Sequence, residues 1–131
     1  MSEHERLTEL AKRFLSGFNE NDLEAVMSFF SEDGLYSEFT GRDHRGKQAI
    51  RSALEPQFKG AFGKMQFIDD DLFTDPENGK VMASWICTLE LDGKPTSWSG
   101  LDLLHFRGDE LVSKLTYAKT KAPLFQKPPA A

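Results

Sequence analysis

Trp98, Gly100, Asp102, Leu104 and Phe106 are spaced two apart and set a carboxylate in an otherwise apolar series. Side chains along a strand alternate between faces, so these five share one face. Trp98, Leu104 and Phe106 mark that face as buried. An ionised Asp102 alone there would be costly, so it either has a partner or keeps its proton. A buried, protonated acid donates a hydrogen bond. It can steady an oxygen that gains negative charge during a reaction, which makes Asp102 the leading candidate for chemistry.

A second carboxylate, Glu38, follows a helix and a turn. Its surroundings alternate as Leu35, Ser37 and Phe39 against Tyr36, Glu38 and Thr40. That pattern leaves the inward set open, but if Glu38 faces inward then Tyr36 does too. The other reactive residue types read as structural. His44 lies in a polar loop from Gly41 to Gly46 and is expected in solvent, and His105 is one step out of phase with Asp102 and faces the other way. The histidines show no metal-ligand spacing. Asp69-Asp70-Asp71 lacks the spacing of a calcium loop and reads as an exposed strand edge. Cys87, on the face of Trp85 and Leu89, reads as inert core. No phosphate loop, dinucleotide fingerprint or nucleophile elbow is present.

The elements that must carry these residues follow from periodicity. Leu7, Leu10, Ala11, Phe14, Leu15 and Phe18 form one apolar helical stripe. Asn19 to Asp22 breaks it, and Asn21 or Asp22 can cap a second helix bearing Leu23, Val26, Met27 and Phe30. Ser31 to Gly34 turns the chain into a short strand at 35–40, and a third helix runs from Lys47 to about Phe58. The pattern then becomes that of strands: 65–73, 81–91, 96–106 and 111 to about 119, with turns at 75–79 and 108–109 and a two-residue hairpin at Asp92-Gly93. From about residue 122 a proline-rich tail, expected to be flexible, cannot continue a central strand. One domain over 1–131 is expected, with helices segregated against an antiparallel sheet, an α+β arrangement.

Composition narrows the partners. The chain has 131 residues, 39% hydrophobic and 28% charged, with 16 Lys+Arg against 21 Asp+Glu and a net charge of -5. No basic stripe points to nucleic acid, and no apolar run is long enough to span a membrane. Eleven Phe and two Trp suit a large core or an apolar pocket. The single cysteine allows no intrachain disulfide, and the charged N-terminus does not read as a signal segment, so a cytoplasmic protein is expected.

Several segments, in this order and spacing, resemble the NTF2-like superfamily: Arg13-Phe14, Asn19 to Leu23, Phe30 to Asp33, Gly46 to Arg51, and Asp102 to Asp109. Within it they are most similar to the ketosteroid isomerase and SnoaL-like polyketide cyclase branches, from about Leu7 to about Ala118. The resemblance implies a cone, three helices packed on a strongly curved, mostly antiparallel sheet, and a homodimer formed through the sheet. It implies no metal and no cofactor. Glu38 corresponds to a carboxylate base and Asp102 to a protonated oxyanion donor. Phe14 stands where a second donor, Tyr, is expected. Losing one such donor costs roughly a hundred-fold in rate, so another group would have to substitute. Tyr36, Tyr117 and Trp98 are candidates by type, as is His105 despite its phase. The expected pocket for an apolar small-molecule ligand is lined by Phe14, Tyr36, Trp85, Trp98, Leu104 and Tyr117.

Three functional readings follow. The first is proton transfer on an apolar carbonyl compound by Glu38 and Asp102. The second is a non-catalytic binding module, favoured by Phe14. The third is an epoxide hydrolase-like enzyme, which needs an Asp–Arg–Asp arrangement around a water. The Asp102 strand carries no inward Arg.

Overall fold

The computed structural model describes residues 1–125 and 127–129. Of the expected tail, Gln126, Ala130 and Ala131 lie outside the described residues. Helix α1 (Glu3–Asn19) begins where Ser2 Oγ accepts the Glu5 amide at 3.1 Å. Helix α2 (Leu23–Phe29) begins where Asp22 Oδ1 accepts the Ala25 amide at 3.0 Å. Strands β1 (Phe30–Ser37) and β2 (Asp43–Arg45) come next, then helix α3 (Lys47–Phe58). Strands β3 (Gln66–Asp75), β4 (Lys80–Leu91), β5 (Lys94–Arg107) and β6 (Glu110–Ala118) complete the order. Asp92 and Gly93 both take positive φ, 52° and 74°, as the primed hairpin turn requires.

The sheet order is β2-β1-β6-β5-β4-β3. All pairings are antiparallel except β1 with β6, which is parallel. The last strand therefore sits between the first strand and the meander. Register breaks at Phe30/Leu35, Asp69/Leu72 and His105/Phe106 act as bulges, which bend a sheet. The concave face receives the helices. Leu7, Phe14 and Phe18 of α1, Val26 of α2, and Ile50 and Leu54 of α3 are buried against Phe30, Val81, Leu104 and Leu111 of the sheet.

The architecture matches the expected three helices on a curved, mostly antiparallel sheet, with two local corrections. First, Phe30 begins β1 instead of ending α2, so β1 starts five residues early. Second, residues 43–45, expected as loop, form edge strand β2, with Tyr36 opposite His44. Three polar residues carry no alternation signal, and their pairing partner supplies the order.

Candidate functional site

One row of side chains crosses the concave face. Register sets His44 of β2 opposite Tyr36 of β1, Tyr36 beside Lys114 of β6, and Thr116 of β6 opposite Asp102 of β5. Ala83 and Trp85 of β4 continue it, Ala83 being opposite Asp102.

Asp102 is buried, 2% exposed, and three donors converge on it. Trp85 Nε1 donates to Oδ2 at 3.0 Å, Thr116 Oγ1 donates to Oδ1 at 2.7 Å, and Lys114 Nζ lies 3.0 Å from Oδ1. Lys114 Nζ also donates to Thr116 Oγ1 at 2.7 Å. Indole and ammonium can only donate, so these oxygens act as acceptors and Asp102 is a carboxylate. The expected protonated donor is thereby corrected: the acid has a cation on the neighbouring strand. Burial by itself would lower the Lys114 pKa, but the Asp102 carboxylate, with Tyr36 and Glu38 nearby, outweighs it and the pKa is raised.

The indole reaches Asp102 because residue 100 has no side chain. A Cβ on Gly100 would lie 2.5 Å from Trp85 Cη2 and 2.6 Å from the Tyr117 carbonyl oxygen. Trp85 is thus a hydrogen-bonded wall, buried with Cys87 and Leu89. Burial pushes the Cys87 thiol up to about 11, in keeping with inert core.

Tyr36 is half-buried and its ring faces the Lys114 ammonium at 4.6 Å. Burial raises the Tyr36 pKa and the Lys114 charge opposes it. Glu38 shares the side of Tyr36, which settles the open alternation, and its Oε2 lies 2.8 Å from His44 Nε2. The His44 and Tyr36 rings sit 5.7 Å apart with 31° between their planes. His44 is therefore part-buried and paired, contrary to the solvated loop position expected. Glu38 and Asp102 do not touch; Tyr36 and Lys114 lie between them, and both carboxylates act on the Lys114 charge. At the rim, half-buried Trp98 packs on Phe39 with ring centroids 5.1 Å apart.

Three expected lining residues are elsewhere. Phe14 is fully buried, edge-on to Phe18, Phe29 and Phe30 at 5.4, 5.6 and 5.6 Å, and is core. Leu104 is core as well, 1% exposed. Tyr117 lies opposite Leu101 on the outer face and is 54% exposed, because Thr116 takes the inward position. His105 faces outward as expected, beside an outer-face cleft of about 400 Å³ lined also by Phe73, Met82 and Leu103. A second cleft of about 390 Å³ opens between α1 and the β3–β4 edge, lined by Lys12, Asn19, Phe67 and Asp69 to Asp71. Neither cleft contains Glu38, His44, Tyr36 or Lys114.

Sequence reasoning missed His44, Lys114 and Thr116. Reading Phe39 to Gly41 as a hairpin turn would have set His44 against Tyr36. Lys114 had no such signal. It and Leu111 are an odd number of residues apart yet both face inward, because a bulge interrupts the β5–β6 register. Among the described residues, no group of three or more His, Cys, Asp or Glu is arranged to hold a metal ion, and no helix is long and apolar enough to cross a membrane.

Comparison with known proteins gives one family match and many similar folds. The model of the SnoaL-like domain matches residues 11–114. No curated protein matches the sequence. A provisionally assigned polyketide cyclase from Xanthomonas campestris pv. campestris superposes with a TM-score of 0.80 at 20% identity, covering 88% of this chain and 92% of that one. PrhC from Penicillium brasilianum gives 0.78 at 22% identity, over 90% of this chain and 83% of its own. A protein from Catenulispora acidiphila with a ketosteroid isomerase-like fold, in complex with trimethylamine, gives 0.73 at 17% identity, over 83% and 84%. At such identities the likeness is one of fold.

Proposed function

We propose a function on the premise that this chain, matched over residues 11–114, belongs to the SnoaL-like domain family and has the NTF2-like fold. It is a cofactor-independent enzyme of the isomerase or cyclase kind, moving a proton on an apolar, carbonyl-containing small molecule at the rim of the cone. The observation that carries this reading is the Glu38–His44 pair, 2.8 Å apart and part-buried, on the same face as Tyr36. A carboxylate and an imidazole in contact, beside a phenol, supply a base and a hydrogen-bond donor. Phe39 and Trp98 offer aromatic surface for the apolar body of the ligand.

Asp102 has a different role in this reading from the one its strand position suggests. Its oxygens are occupied by Trp85, Thr116 and Lys114, so it anchors the ammonium beneath Tyr36. The cation beside Asp102 is Lys114, held by Asp102 and Thr116, and not the arginine that an epoxide hydrolase-like arrangement needs. A binding module remains the second reading, supported by the Phe cluster that fills the cone where Phe14 lies. Conversion of a β,γ-unsaturated ketosteroid to its conjugated isomer, followed by absorbance, tests the first reading. Turnover by the protein and its loss in Glu38→Gln are expected. Ligand binding without turnover, unchanged in Glu38→Gln, would favour the module.

The outer sheet face suits a second copy of the chain. Ile68, Phe73, Ile86, Leu103 and Tyr117 are 53%, 58%, 41%, 40% and 54% exposed, an apolar surface of the kind that marks association sites. Sedimentation should report a dimer, and Leu103→Lys should shift it to monomer.

A further inference from the structure

Two parts of the chain are left uncovered on the outside of the fold, and they are opposite in charge. The first is the segment after β6. Residues 119–131 carry Lys119, Lys121 and Lys127 and no Asp or Glu. Between Lys121 and Lys127 lie Leu124 and Phe125, 54% and 90% exposed. The second is β3 and the turn that follows it. Residues 66–78 carry Asp69, Asp70, Asp71, Asp75 and Glu77 and no Lys or Arg. Here the outer-face cleft of about 400 Å³ presents Phe73, Met82 and Leu103, and is lined also by Asp75, Lys80 and His105. Among the described residues, none of the three lysines of the first part and none of the acids of the second is in a salt bridge. Within one chain the two parts do not meet. The chain leaves β6 where the Lys119 amide donates to the Ser99 carbonyl at 2.8 Å. Strand β3 is three strands away, about 14 Å at ordinary strand spacing. Phe125 has about 20 Å of extended reach from Lys119, yet it and Phe73, 58% exposed, both stay in the open. Pro123, Pro128 and Pro129 withhold amides that a further strand would need and favour an extended backbone. The segment is thus an arm with less conformational freedom to lose on docking.

We propose that this arm packs on a second copy of the chain: Phe125 of one copy enters the outer-face cleft of the other, and Lys121 and Lys127 meet the acids of its β3 edge. The proposal rests on the second-copy reading of the outer face above and adds to it a reciprocal exchange of arms. Two sheets packed face to face stand about 10 Å apart, within the arm's reach. In a two-fold pair each copy gives one arm and receives one. The Phe125 ring supplies apolar area to a cleft that is open in the single chain. The lysines set the direction of the arm, because the acids lie along β3 and its turn.

Oxidative cross-linking in the full chain tests the exchange. Phe125→Cys chains are mixed with Phe73→Cys chains; the native Cys87 is buried and does not compete. A covalent dimer should form in the mixture, and far less of it in either variant alone. When both substitutions are placed on one chain, a covalently closed monomer would set the arm on its own sheet and overturn the exchange. Sedimentation gives an independent measure. Phe125→Ala should weaken the dimer about ten-fold or more, from the loss of one buried ring per arm. Lys121→Glu with Lys127→Glu should weaken it at low salt and much less at high salt, because salt screens exposed charges. A dimer that none of these substitutions weakens, with no cross-link in the mixture, overturns the exchange and leaves the sheet-to-sheet dimer standing. A full chain that stays monomeric overturns both.

Discussion

The concave face divides into two halves that solve burial differently. Towards α1 and α2 it is packed with Phe14, Phe18, Phe29 and Phe30 in edge-on contacts. Towards β5, β6 and β1 the same face holds an ammonium, a carboxylate, a hydroxyl and a phenol. The aromatic half is stabilised by area removed from water and tolerates little change of volume. The polar half is stable only because each charged group has a partner. Desolvation there is offset by Asp102 against Lys114, and by Trp85 and Thr116 on the remaining lone pairs. A surplus charge in the second half therefore costs as much as a lost ring in the first.

The sharpest way to break this contrast is to remove one partner of the buried pair. Lys114→Met should cost about 3–5 kcal/mol in denaturant unfolding, because Asp102 is left buried and uncompensated. Adding Asp102→Leu should restore much of that loss, a coupling the aromatic half has no equivalent for. Phe14→Ala should cost about 3–5 kcal/mol through the cavity it leaves. Phe14→Tyr is the finer probe: a hydroxyl among three Phe rings has no partner and should cost about 1–3 kcal/mol. It should bring no gain in ketosteroid turnover. A rise in rate would show that the aromatic half borders the reacting centre after all. Gly100→Ala should cost about 1–3 kcal/mol by overpacking and change the Trp85 fluorescence, since the indole must leave its place over residue 100.

The smallest effect is a pH dependence confined to the polar half. Tyr36 and Lys114 have ordinary values of 10.0 and 10.5, and both are raised in the folded chain. Between its ordinary and folded values each group is protonated in the folded chain more than in the unfolded one, so stability falls as pH rises. Their contribution to unfolding free energy should be fully present and independent of pH below about pH 9 and decline above about pH 10. In Lys114→Met the decline should be shallower.

The two halves also differ in how far the sequence discloses them. The α1 stripe, the Asp92-Gly93 turn and the alternation of β4 each depend on neighbours within a few positions, and each could be read. Asp102 could be recognised as misplaced on its strand for the same reason. Its partner could not, because Lys114 owes its inward direction to a bulge, and Tyr36 meets it through a parallel pairing of distant strands. His44 was hidden by the shortness of β2, three residues with no apolar pattern. What escaped was the set of contacts made between distant segments, and these are the contacts that assemble the rim.

The parallel seam between β1 and β6 has a consequence for how the chain acquires its shape during synthesis. The helical N-terminal third and the Glu38–His44 hairpin emerge early, yet their place in the sheet is beside a strand made much later. Until that strand leaves the ribosome, β1 is an open edge beside uncovered phenylalanines, a form prone to sticking to other chains. Closure of the seam is thus the step at which a nascent chain stops being vulnerable to aggregation and at which its rim is assembled.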